Sequence, residues 1–374
     1  MAGKSFKEFP YSARSKLTQL NTAQRIARED ADRLHAETPY GPIRKVLRFG
    51  EEVVPYICPL ALLWTMASAS EWFGMFLLAC LGGAAGDFIL YLDDVRPGNC
   101  LRPDPGRVYY SILWSLAQYP RWYASRMLGW LPLCSVQSTQ LARIDGGISQ
   151  VIAALWQVLW DANAGDARQC ARLRPVMNLA SLGVRIPPRG AHRIIKMVFR
   201  AILADAKCLH EVCMSKTASG IKPCVCCMNI IGRRHPDDIA GDWGIHFSQA
   251  GPDDFQLYDA ASFARMLEEV RRVMEDPASR VKDKKEIQTL CGINYSPTGV
   301  GFIWGPTQDI ARVPECICCD WMHNLCASGG VGAHHVNQFV RVVAQAGVTL
   351  ADITAFTQKV VHPKSNRKLC KFKF

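Results

Sequence analysis

The 374-residue chain is 49% hydrophobic and 21% charged, which supplies a sizeable core and excludes wholesale disorder. Its formal net charge of +11 favours a polyanionic partner, nucleic acid or an anionic membrane surface. The start, Met-Ala-Gly-Lys-Ser-Phe-Lys, lacks the apolar stretch of a secretory signal, so the chain is expected in the nucleus or cytoplasm, not secreted. There the sixteen cysteines are expected to be reduced, and close pairs of them point to metal before disulfide.

Residues 1–50 read as a basic N-terminal arm carrying Arg25, Arg28, Arg33, Arg44, Lys45 and Arg48, with a solvated helix over 21–37. Residues 57–70 and 72–86 are two apolar stretches separated by Glu71. Neither reaches the roughly 20 residues needed to cross a bilayer. Joined, they would bury Glu71 near the bilayer centre at a cost of about 2.5–3.5 kcal/mol. Two buried helices and no membrane partner are therefore predicted.

Residues 88–92 (Phe-Ile-Leu-Tyr-Leu) are apolar throughout and rich in strand formers, the pattern of a buried central strand. A second strand is predicted over 108–114, joined antiparallel to the first by a connection stiffened by Pro97, Pro103 and Pro105. A helix follows over 148–160. Residues 196–203 read as a strand, with a helix as the alternative. Asp259 is placed to cap a helix with apolar residues at Phe263, Met266, Leu267, Val270, Val273 and Met274. Further helices are expected over 336–346 and from Thr349, where Asp352 can complete a reciprocal cap.

Three acidic segments could carry chemistry. Asp93 and Asp94 close the apolar 88–92 strand, where the backbone is fixed and a carboxylate stays accessible. Asp205 follows the apolar run Ala201-Ile-Leu-Ala204, and Asp320 stands in Asp320-Trp-Met-His323. A hard cation such as Mg²⁺ takes one or two carboxylates together with waters and phosphate oxygens. Three separated acids can converge on a two-metal phosphoryl-transfer site. Turn capping is the competing reading for Asp93 and Asp94. Asp320 and His323 would share one helix face if Asp320 opens a helix.

The cysteines offer a second metal. Cys224 and Cys227, and Cys316 and Cys319, have the Cys-x-x-Cys spacing of structural zinc ligands. Together they could complete a tetrahedral site, with His235, His246 and His323 as alternative ligands. Cysteines also serve as small buried apolar residues. His334 and His335 read as polar surface.

Asp93 after one apolar strand, Asp205 after another, Gly220-x-x-x-Cys224-x-x-Cys227 and Asp320-x-Met-His323 resemble, in that order, the catalytic region of CACTA-type (En/Spm, Plavaka-like) DDE transposases. The likeness extends to multi-copy, transposon-derived frames of large protist genomes through Leu90-Tyr-Leu-Asp-Asp-Val-Arg-Pro-Gly-Asn99, Ile144-Asp-Gly-Gly-Ile-Ser149 and Ala218-Ser-Gly-Ile-Lys-Pro-Cys224. It spans about Tyr40 to the C-terminus and rests on the ordered combination of these segments.

The resemblance implies an α/β (α+β) fold, an RNase H-like core with a helical, cysteine-rich insertion. The expected divisions are a basic arm at 1–50, the first part of the core at 51–215, the insertion with connecting helices at 216–320, and a helical segment at 321–374. It implies Asp93 as the first catalytic acid, with Asp94 as the alternative, and Asp205 as the second. In that family a later Glu supplies the third, but beyond Asp352 this sequence has no acid. Either Asp320 substitutes or the ligand is lost. Mg²⁺-dependent DNA cleavage and strand transfer would then be the ancestral chemistry of a now defective domain. A non-catalytic, zinc-stabilised nucleic-acid-binding protein is the alternative.

Overall fold

Turn chemistry and alternation build a hairpin first. Strands β1 (Arg44–Phe49) and β2 (Glu52–Ile57) pair antiparallel, with Arg44 opposite Ile57 and Phe49 opposite Glu52. Gly50, at φ +59°, makes the turn between them, a conformation that suits a residue without Cβ. Arg44, Lys45 and Arg48 thus stand on a sheet strand. The computed structural model describes residues 37–95, 108–160, 179, 183–186, 193–216, 220–233, 244–302 and 315–320, with short pieces between 338 and 352. Residues 1–36, the turns at 96–99 and 102–106, and the basic run from Lys364 to Lys373 lie outside them. The chain divides after Cys318 into two compact units, and the sheet belongs to the first.

The two apolar stretches become helices α1 (Pro59–Ala69) and α2 (Glu71–Leu81). Pro59 sits at the start of α1, where its missing N–H costs nothing. The Ser70 hydroxyl accepts from Phe73 N at 3.3 Å and so starts α2, and Gly82, left-handed at φ +55°, stops it. No helix among the described residues is long and apolar enough to cross a membrane.

The central strand β3 (Gly86–Val95) pairs antiparallel with β4 (Tyr109–Leu116), and β4 pairs antiparallel with β5 (Leu131–Gln137). On its other side β3 pairs parallel with β6 (Met197–Ala204). With β7 (Ile317–Cys319) at one edge, the order is β7-β6-β3-β4-β5-β2-β1. The two strands expected from 88–92 and 108–114 are therefore present and central, and 196–203 is a strand. The fold is mixed α/β: within the seven-stranded sheet β3 and β6 pair parallel, while β3–β4, β4–β5, β5–β2 and β2–β1 pair antiparallel.

Alternation along β3 assigns its two faces. Phe88, Leu90 and Leu92 are fully buried, while Asp87, Ile89, Tyr91 and Asp93 on the opposite face are half-buried. Helix α3 (Gly147–Trp160) covers the buried face. Phe88 stacks on Trp114 with centroids 4.8 Å apart and meets Trp160 edge-on at 5.1 Å, and Trp156 packs on Phe199 at 4.9 Å. Helix α4 (Ala206–Val212) continues directly from β6 through Asp205. Ser149 of α3 ties these parts together: its buried hydroxyl donates to Val212 O at 2.6 Å and accepts from Val300 N at 2.9 Å.

Beyond α4 the chain forms α5 (Ala260–Glu275) and α6 (Val281–Cys291), which pack on each other. Asp259 caps α5 by accepting from Ser262 N at 2.6 Å, and Ser262 Oγ accepts from Asp259 N at 3.1 Å. Phe263, Leu267 and Val270 are its buried stripe. In the second unit, Thr349 N donates to Asp352 Oδ2 at 2.8 Å and Asp352 N donates to Thr349 Oγ1 at 3.2 Å, the reciprocal cap the sequence suggests.

Phe88→Ala removes the ring on which both Trp114 and Trp160 rest. It should lower unfolding stability by about 3–5 kcal/mol in urea denaturation. A loss below 1 kcal/mol, on the order of a surface change, would contradict the packing described.

Candidate carboxylate site at the end of the central strands

The parallel pairing of β3 with β6 fixes where the acids stand. Leu203 lies opposite Tyr91 and Ala204 opposite Leu92, so Asp205 and Asp93 are the next residues of two adjacent strands. Neighbouring strands lie about 4.8 Å apart. Asp93 is opposite Ser111 on β4, on the half-buried face that also carries Tyr91, whose ring packs against Trp130 at 5.6 Å. Asp205 is the N-cap of α4: its Oδ1 accepts from Cys208 N at 2.6 Å, and its second oxygen is Oδ2. This capping role of Asp205 was not singled out from sequence.

Asp94 turns the other way. It pairs with Tyr110 across β3 and β4, and its Oδ2 accepts from Lys207 Nζ at 2.8 Å. Lys207 Nζ also lies 3.9 Å from Glu211 Oε1, and Tyr110 OH donates to Glu211 Oε2 at 2.5 Å. The two adjacent acids are thus separated by the strand pleat. Asp94 goes to an ion-paired network under α4, the helix that Asp205 caps, and Asp93 goes to the opposite face of β3. Burial and the Glu211 carboxylate push the Tyr110 hydroxyl far above its usual range. Burial, then Asp205, raises the Cys208 thiol. For Lys207, burial opposes charge, but the hydrogen bond to Asp94 and the Glu211 charge outweigh it and hold the ammonium protonated.

A cavity of about 860 Å³ opens beside this network. Its walls include Tyr110, Lys207, His210 and Met214 together with Asp145 and Gly147 of the Ile144–Ser149 motif. Gly147 has φ +54°, which a side chain would strain. The network residues Lys207, His210 and Glu211 were not among those singled out from sequence. Their signal was available: positions 207, 210 and 211 recur at helical spacing on the one helix that Asp205 caps.

The cysteine segment lies at the other end of α4. Backbone hydrogen bonds stitch it to the helical pair: Tyr258 N to Cys226 O at 2.9 Å, Met228 N to Gln256 O at 2.8 Å and Ile221 N to Thr289 O at 2.8 Å. The three thiols of Cys224, Cys226 and Cys227 converge. Hydrogen bonds from Cys226 and, against burial, from Cys227 hold Cys224 well below the usual thiol range. Burial and the Cys224 charge push Cys227 up. His210 lies close enough to feel Cys224, though burial dominates and keeps its imidazole neutral. Its Nδ1 is buried without a hydrogen-bond partner.

Cys316 is buried at the start of the edge strand, with its carbonyl accepting from Ile202 N at 2.8 Å. The side chain of Cys319 and the residues His235 and His323 lie outside the described residues, as do His334 and His335. His246 bonds to Gly232 O at 3.0 Å through Nε2 and to Ser248 through Nδ1. Asp320 opens the second unit and is buried there. Among the described residues no group of three or more His, Cys, Asp or Glu side chains is arranged to hold a metal. No protein-family model matches the chain, and no curated protein matches it.

The thiol geometry gives a direct test. Brief alkylation of the native protein at neutral pH should modify Cys224 well ahead of Cys134, Cys208 and Cys316, whose burial raises their thiols. Peptide mass spectrometry showing equal labelling of all four would contradict the convergence of the three thiols.

Proposed function

We propose that this chain is a DNA-handling domain derived from a DDE-type transposase, built on an RNase H-like core, in which strand cleavage has lapsed. The observation that carries the reading is the placement of Asp93 and Asp205 as register neighbours at the ends of adjacent parallel strands. Two acids far apart in sequence thus stand where two adjacent buried strands end. A central strand paired parallel on one side and antiparallel on the other suits an RNase H-like sheet.

The two carboxylates suit a single Mg²⁺, which binds through one or two acids and completes its shell with water and phosphate oxygens. Such an ion, when bound, would draw a DNA phosphate to the sheet end and offset its charge. Asp93 and Asp205 would orient it. The Lys207 ammonium is engaged by Asp94 and Glu211, and that network fixes α4 and with it the Asp205 cap. Cleavage by two metals needs further ligands to activate the attacking oxygen and stabilise the leaving one. Among the described residues no third carboxylate is grouped with Asp93 and Asp205 to supply them.

DNA is the partner that the charge supports. The net charge is +11, and Arg193, Lys196 and Arg200 are exposed on and beside β6, the strand that leads to Asp205. A second reading, a zinc-stabilised nucleic-acid-binding protein without catalysis, rests on the Cys-x-x-Cys spacing of Cys224 and Cys227. Both readings place the protein with nucleic acid, and they differ in whether the carboxylates hold an ion.

Titration of duplex DNA at several salt concentrations should show affinity falling with a log–log slope of about −0.9 per phosphate neutralised. Addition of Mg²⁺ or Mn²⁺ should produce no nicks. Binding that is absent or insensitive to salt would overturn the nucleic-acid reading. Nicking abolished by Asp93→Asn and by Asp205→Asn would overturn the loss of catalysis and leave the ancestry standing.

A further inference from the structure

At the end of the sheet where β3 begins, remote along that strand from Asp93, an aromatic surface stands open. Met127 is 91% exposed, Leu128 68% and Trp72 59%, and Met75 and Trp122 are each about half exposed. These side chains form one surface. Trp72 stacks on Phe76 with centroids 5.2 Å apart and planes 4° from parallel, and Phe76 meets Trp122 at 5.9 Å. Phe76 also packs on Tyr119 and Tyr123, which are buried beneath it. The aromatic floor is therefore rigid while its outer faces remain in solvent.

An open surface of Trp, Met and Leu on a rigid base has the composition of an interface centre. Its charges say what would cover it. Arg121 and Arg126 flank Trp122, with the Arg126 guanidinium 6.0 Å from the Trp122 ring centroid. Glu71 precedes Trp72 in α2. All three are exposed, and none forms an ion pair with a described residue. A surface that offers unpaired cations on one side and an unpaired carboxylate on the other is complementary to itself. Under a two-fold axis, the patch of one copy meets the same patch of the next. A polyanion would find Glu71 in its path.

We propose that this surface is a self-association site, at which Trp72, Met75, Trp122, Met127 and Leu128 of two copies pack together while Glu71 of each meets Arg121 and Arg126 of the other. The assignment is independent of the DNA reading, because it uses none of the residues on which that reading rests.

Sedimentation equilibrium of the full chain tests it. The wild-type protein should move from one to two copies per particle as concentration rises. Trp122→Ala combined with Met127→Asp should weaken association about tenfold or more, since exposed anchors at an interface centre carry much of its affinity. Neither side chain supports the core, so circular dichroism should be unchanged. Glu71→Arg alone and Arg121→Glu with Arg126→Glu should each weaken association, and all three changes in one chain should restore it. A single-copy particle at every concentration would overturn the proposal. So would association that ignores both sets of changes, or loss of oligonucleotide binding in the patch variants with no change in association.

Discussion

Everything at the candidate site depends on one parallel strand pairing. Strands β3 and β6 are separated by about a hundred residues of sequence, yet they run side by side and in register from Met197 opposite Gly86 to Ala204 opposite Leu92. A one-residue slip would exchange the faces of every side chain on the strand. The slip is resisted because Phe88, Leu90 and Leu92 must lie under α3, and Met197, Phe199 and Ile202 must share that face. Core packing therefore sets the position of polar residues it never touches. The irregularity between Phe199 and Ala201 belongs to the same adjustment, because it restores the alternation that puts Ile202 and Ala204 inside.

The pleat then gives the doubled acid two tasks. Asp94 is directed toward Tyr110 and Lys207, where the partly exposed ion pair contributes at most about 1 kcal/mol. Its larger effect is geometric. Lys207, Glu211 and Tyr110 hold the first turn of α4 against β4, and that turn begins at Asp205. Asp93 faces the opposite way, on the half-buried face that carries Tyr91. The Ile144–Ser149 motif contributes at the far end of α4: Ser149 accepts and donates where α3, Val212 and Val300 meet. The motif is thus a clamp on the helix that carries Asp205, and its glycines line the cavity.

Much of the fold was legible in the sequence because its signals are local. Residues 88–92, 57–70 and 148–160 state their structure through apolar runs and periodicity, and Asp259 states its cap through Ser262 three residues on. The edge strands β1 and β2 were not seen, since Arg44, Lys45 and Arg48 on an exposed strand read as a charged arm. The choice between Asp93 and Asp94 could not be made from spacing, because only the pairing partners of β3 say which face is covered. The Lys207–Asp94 pair joins residues 113 apart and leaves no local trace. For the cysteines, spacing identified Cys224 and Cys227, but the approach of His210 depends on how α4 leaves the sheet.

Under the proposed function, Asp93 and Asp205, and not Asp94, would bind the cation at the end of the sheet. Electron paramagnetic resonance of bound Mn²⁺ tests it directly. The wild-type protein and Asp94→Asn should both bind one ion, and binding should be lost in Asp93→Asn and in Asp205→Asn. Binding that survives Asp93→Asn and fails in Asp94→Asn would contradict the account, as would a wild-type protein that binds no Mn²⁺ at all.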